Sequence, residues 1–129
     1  MKTPKPSDPL TFLIDAINHG NLDSALSLYE PEAVMVAEPG KLTNGRAGLR
    51  DALAGFIAMK PTLSVESRQI VTAGDIALSC AHWNLSGADP DGKEIKMSGR
   101  SSDILRRQTD GNWLFLIDNP WGTDILSAS

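Results

Sequence analysis

Asp103 sits in the run Ser101-Ser102-Asp103-Ile104-Leu105, and in a strand Ser101, Asp103 and Leu105 fall on one face. A carboxylate on an enclosed apolar face loses hydration, which penalises its ionised form. Its pKa then rises toward the range where it serves as an acid or hydrogen-bond donor near neutrality. The other role open to Asp103 is structural, as a buried acid bonded to backbone, a tyrosine or an arginine. Asp118 is expected on the neighbouring strand. Two acids side by side share a proton and split their pKa values, giving one acid and one base. Alternatively, Asp118 caps the turn Pro120-Trp121-Gly122 through its side chain.

Several large rings accompany these acids. Trp83 lies midway along a predicted strand with Ala81 and Leu85 on its side, which suits a pocket wall or plain core packing. Phe12, Tyr29, Phe56, Leu105 and Trp121 are placed either to line a cavity or to fill it. A buried Tyr29 needs a partner for its hydroxyl, and Asp103 could supply one. His82 alternates with Trp83 and is expected on the outer sheet face with Cys80 and Asn84, in an interface or surface role.

Other chemistries lack their signatures. His19 and His82 stand on separate elements without metal-ligand spacing, so no metal is expected. Gly40, Gly45 and Gly48 lack the lysine and spacing of a phosphate loop, and Ser101 and Ser102 lack a nucleophile elbow. No cofactor is expected. Acid-base work by carboxyl groups and a purely structural role for the same acids both stay open.

These side chains must be held by a fold that 129 residues can build, which is one domain spanning 1–129. With 41% hydrophobic and 22% charged residues, the composition is that of a folded globular chain. The net charge of -4, and Arg106 and Arg107 pointing to opposite sides of a strand, disfavour nucleic acid. A single cysteine, Cys80, excludes an intrachain disulfide and fits a reducing, cytoplasmic setting, and no apolar run is long enough for a membrane span. The expected ligand is a small apolar or amphipathic molecule.

Residues 1–7 read as a loose proline-rich arm. Ser7-Asp8-Pro9 then starts a helix with Leu10, Leu13, Ile14 and Ile17 on one stripe and Gly20 as its stop. Asn21 caps a second helix whose Leu22, Ala25, Leu26 and Tyr29 keep the spacing before Pro31. Ala33 to Ala37 forms a brief strand, and a third helix runs from about Arg46 to Lys60. Beyond Pro61 the period becomes two, with Leu63, Val65 and Val71 predicted on one side. Turns at Ala73-Gly74-Asp75, Asp89-Pro90-Asp91-Gly92 and Asp110-Gly111 divide the rest into four hairpin-linked strands, the last from Trp113 to Asn119. Residues 123–129 read as a tail. The fold class is α+β, a curved sheet with one face covered by three N-terminal helices.

The order of these pieces resembles the nuclear transport factor 2-like superfamily, in its SnoaL-like and ketosteroid-isomerase-like branch. The resemblance is carried by Asn18-His19-Gly20-Asn21-Leu22-Asp23, Tyr29-Glu30-Pro31-Glu32-Ala33-Val34, Asn44-Gly45-Arg46-Ala47-Gly48-Leu49-Arg50, Gly99 through Arg107, and Asp118-Asn119-Pro120-Trp121-Gly122. It implies a cone-shaped, cystatin-like fold whose mixed sheet wraps the helices around a cavity, and a homodimer through the sheet. It also implies that Asp103 matches the sheet aspartic acid of the isomerases, that Asp118 faces inward with Asn119 facing away, and that Glu38 falls near their proton-shuttle carboxylate. Leu13 stands where their helix-one tyrosine would be and cannot donate a hydrogen bond. Two functions follow: an acid-base enzyme of isomerase, dehydratase or hydrolase type acting through Asp103, Asp118 and Glu38, or a non-catalytic ligand-binding or dimerisation module.

Overall fold

Pro9 opens the first helix and glycine closes it, because a Gly20 φ of 69° is cheap only without a side chain. The computed structural model describes residues 2–128. Helix α1 spans Asp8–Asn18 and buries Leu10, Leu13, Ala16 and Ile17 on its inner stripe. In α2, Leu22–Leu26, the Asn21 side chain accepts a bond from the Ser24 N–H at 3.1 Å. Helix α3, Gly45–Ala58, buries Leu49 and Leu53.

The sheet has six strands. They are β1 Tyr29–Glu38, β2 Lys41–Asn44, β3 Thr62–Ala73, β4 Ile76–Ala88, β5 Glu94–Arg107 and β6 Trp113–Asp118, in the spatial order β2-β1-β6-β5-β4-β3. All neighbours are antiparallel except β1 and β6, which are parallel. The sheet is thus mixed, curved and unclosed, and the three helices cover its inner face. Tyr29, Leu49, Leu53, Leu105 and Phe115 lie between the layers with no more than 1% exposure. No helix among the described residues is long and apolar enough to cross a membrane.

Four expectations fail for local reasons. Tyr29 belongs to β1, not to the second helix, since its ring stacks on Phe115 at 5.0 Å and the Phe115 N–H bonds the Leu28 carbonyl. Tertiary packing overrides a helical spacing there, so the strand begins four residues before Ala33. Val71 points outward and is 60% exposed, because a bulge between Val65 and Ser67 reverses the parity of β3 and turns Ile70 inward instead. The N-terminal arm is not loose at Thr3, which is 1% exposed, donates its hydroxyl to the Trp113 carbonyl at 2.6 Å and takes the Asn112 side chain at its N–H. At the other end, Gly122–Ala128 forms a 3-10 helix where a tail was expected.

The short strand β2 was also unforeseen. On the outer sheet face Glu30 is nearly buried and takes a two-pronged bond from Arg106, at 2.9 and 2.5 Å, clamping β1 to β5 across β6.

Candidate functional site

The geometry of the site depends on a second bulge. Across β5 and β6 the partners are Leu105 with Phe115 and Ile104 with Ile117, so Leu116 is an extra residue on β6. A regular strand would turn Ile117 inward with Phe115 and send Asp118 out. The bulge shifts the parity by one, so Phe115 and Asp118 both face the helices. Asp103 arrives on the adjacent strand by simple alternation, with Ser101 and Leu105 buried on its face.

The two carboxyls are neighbours. Asp103 is 2% exposed and Asp118 6%, and each shifts the titration of the other. Two buried like charges side by side repel, so the pair favours holding one proton between them. Burial pushes Asp103 well above the usual carboxylate range, and the Asp118 charge pushes it further; the Asn119 N–H, at 2.8 Å from its Oδ1, opposes the shift. Burial also raises Asp118, but hydrogen bonds from Tyr29 and Asp103 hold it back. The proton therefore resides on Asp103 and the charge on Asp118. Tyr29 donates its hydroxyl to Asp118 Oδ2 at 2.5 Å. Burial and the Asp118 charge raise the phenol well above its ordinary value, so it stays a donor.

Above this floor lies a cavity of about 80 Å³. Its wall is Leu13 and other apolar residues of α1, Leu53 and Phe56 from α3, and Met35, Trp83, Trp121 and their neighbours from the sheet side. Asp103, Asp118, Ser101 and Tyr29 are its polar members. Trp83 donates its ring N–H to the Pro120 carbonyl at 2.6 Å, and Trp121 donates to the Val36 carbonyl at 3.1 Å. The two indoles meet edge to face, centroids 5.5 Å apart. Gly99 makes this possible, because a Cβ there would stand 2.7 Å from the Trp83 ring.

Of the residues singled out from sequence, Asp103, Asp118, Tyr29, Phe56, Trp83 and Trp121 line the cavity together. Glu38 does not. Its carboxylate is 64% exposed beside Lys41, beyond the strand segment that reaches the wall. Phe12 packs half-buried against the core on another side of α1, and Leu105 lies within the core, neither of them on the cavity wall. The partner of the Tyr29 hydroxyl is Asp118 rather than Asp103. The terminal turn is capped by Asn119, not by Asp118: its side chain donates to the Gly122 carbonyl at 3.1 Å and accepts from the Trp121 N–H at 3.3 Å. Asn119 is buried beneath the turn that it caps and is absent from the cavity wall. The Asn119-Pro120 pair was the available signal, since Asn before Pro favours turn initiation. His82 lies on the outer face, 3.1 Å from Glu66, and His19 is exposed.

Comparison with known proteins fits this geometry. The model of the SnoaL-like domain family matches residues 11–115. Among solved structures, a protein named as a ketosteroid isomerase from Shewanella frigidimarina shares 21% identity over 88% of this chain and 91% of its own, with a TM-score of 0.77. A nuclear transport factor 2-like superfamily protein from Salmonella enterica gives 0.78 at 16% identity, covering 87% and 84%. One named as a dehydratase of that family, from Streptomyces avermitilis, gives 0.75 at 17% identity, covering 88% and 90%. No curated protein matches the chain. At these identities the neighbours share the fold.

Proposed function

Because the chain belongs to the SnoaL-like domain family, we propose that it is a small-molecule pocket protein whose Asp103–Asp118 pair moves protons on a small apolar ligand, in a cytoplasmic setting. One observation carries this reading: two acids, 2% and 6% exposed, stand together at the floor of a cavity that is otherwise almost wholly apolar. Burying a charge costs several kcal/mol, of order, even when it is paired. An apolar pair would fill the same place without that cost, so stability alone gives no reason for two acids here.

The pair can work in both directions. Asp118, as the carboxylate, accepts a proton from the ligand, while Asp103 gives its proton to a ligand oxygen. Taking a proton at one carbon and returning it at another is isomerisation. Taking one at carbon and giving one to a departing hydroxyl is dehydration, which leaves the pair with one proton as before. Leu13, without a donor, argues against carbonyl polarisation of the steroid-isomerase kind. Neighbours named as isomerase and dehydratase share the scaffold without deciding between these reactions.

The experiment is turnover in the wild type and in Asp103→Asn, after small apolar ligands have been ranked by thermal stabilisation. Asparagine can still accept the Asn119 N–H and still donate to Asp118, but it has no acid proton to give. The variant is expected to fold and to lose turnover. A variant that turns over as the wild type does refutes the assignment.

A second reading has its own observation. Val71, Leu78, Ile104, Ile117 and Val34 are successive cross-strand partners and form one apolar row over five strands on the outer face. Val71, Leu78 and Ile117 are 60%, 38% and 39% exposed. Such a row is suited to packing against its own copy, which supports a homodimer through the sheet. The cavity would then serve as a ligand site or a structural void in an assembly module.

A further inference from the structure

Apart from the Asp103 carboxyl, the hydrogen-bond donors on the cavity wall are already committed inside the protein. The Tyr29 hydroxyl goes to Asp118, and the Asp103 carboxyl stands beside the same carboxylate, which competes for its proton. The ring N–H of Trp83 goes to the Pro120 carbonyl and that of Trp121 to the Val36 carbonyl. Ser101 Oγ points to the Ala81 carbonyl at 3.4 Å. No lysine, arginine or histidine lines the cavity among the described residues. What the floor presents to a ligand is therefore acceptor lone pairs and one net negative charge, without a protein cation to balance it.

The rest of the wall has the matching character. Trp83, Trp121 and Phe56 offer aromatic rings, whose π faces are electron-rich and attract cations, most strongly where water is excluded. A neutral carbonyl ligand has the Asp103 proton as its one donor on the floor, and must compete for it with the Asp118 carboxylate. An anionic ligand meets Asp118 and is repelled.

Resting on the reading of the cavity as a ligand pocket, we infer that its ligand is an organic cation, a protonated amine on a small apolar body. The ammonium group sits toward Asp118 at the floor, and the body lies among Trp83, Trp121 and Phe56. In this arrangement the ligand supplies the positive charge that the protein wall lacks, and Asp118 remains the group that accepts a proton from it.

The test compares four one-ring compounds by calorimetry at pH 7.5: benzylamine as cation and donor, benzyl alcohol as neutral donor, benzaldehyde as acceptor only, and benzoate as anion. Benzylamine is expected to bind about tenfold or more tighter than benzaldehyde, a difference of about 1.4 kcal/mol, and benzoate not to bind. In Asp118→Asn the preference for benzylamine is expected to vanish. Should that variant fail to fold, the same preference in the wild type is expected to weaken as pH falls and the acid pair takes up its second proton. Benzaldehyde binding as tightly as benzylamine overturns the cation inference and leaves the pocket reading standing. If none of the four binds, the pocket reading itself falls and the inference with it.

Discussion

Gly99→Ala is the sharpest test of how the cavity wall is built. The added Cβ would stand 2.7 Å and 2.9 Å from two atoms of the Trp83 ring and 3.0 Å from the Pro120 carbonyl oxygen, which is itself the acceptor of the Trp83 ring N–H. These contacts are too close to persist, so the indole must move. Its open side is the cavity, so the ring shifts into that space and its bond to Pro120 is stretched or lost. Overpacking of a core costs about 1–3 kcal/mol, and the void beside the ring keeps this case near the lower half, about 1–2 kcal/mol. For a domain of this size that corresponds to a fall of roughly 4–10 °C in melting temperature. Thermal unfolding followed by circular dichroism measures the fall, and the near-ultraviolet tryptophan bands report the ring. A variant with the wild-type melting temperature and unchanged aromatic bands would refute the close approach and the cavity wall derived from it.

The acid pair should write itself into the pH dependence of stability. Its folded-state pKa values are raised, so between the unfolded aspartate value of about 3.9 and the folded value the native state holds protons that the unfolded chain has released. Stability is then lost as pH rises through that window, at up to about 1.4 kcal/mol per pH unit for each displaced proton. Asp103→Asn should gain on the wild type as pH rises from 4 to 8 in urea titrations, and parallel curves would contradict the buried pair. For the outer face, Leu78→Glu places a charge in the middle of the apolar row, on a side chain already 38% exposed. Sedimentation is expected to show a dimeric wild type and a monomeric variant with unchanged far-ultraviolet circular dichroism; a wild type monomeric at all concentrations removes the dimer.

Alternation carried the sequence reading wherever strands were regular. Asp103, Ser101, Trp83 and Ala81 face the helices because nothing interrupts β4 and β5 there. The reading failed at bulges. The extra residue near Glu66 put Val71 outside, and the one at Leu116 turned Asp118 inward, where only a family resemblance and no periodicity had placed it. Helical spacing misled at Tyr29, whose apolar position satisfies a helix and a strand equally, and packing on Phe115 decided between them. Glu38 shows the limit of resemblance: a carboxylate that falls near a family position in sequence lies at the strand end in solvent. The dyad itself was legible as two acids on neighbouring strands. Its third member was legible only in part: Tyr29 stood out as a buried hydroxyl in need of an acid, but its partner is Asp118, 89 residues away in sequence, and not Asp103.

A carboxyl-carbon NMR titration of aspartate-labelled protein, assigned by Asp103→Asn and Asp118→Asn, goes most directly to the acid pair. The account requires the Asp103 resonance to keep its protonated shift well above the pH at which an exposed aspartate ionises, with Asp118 ionising before it. Two independent titrations near pH 4, each unmoved by replacing the other residue, would contradict it.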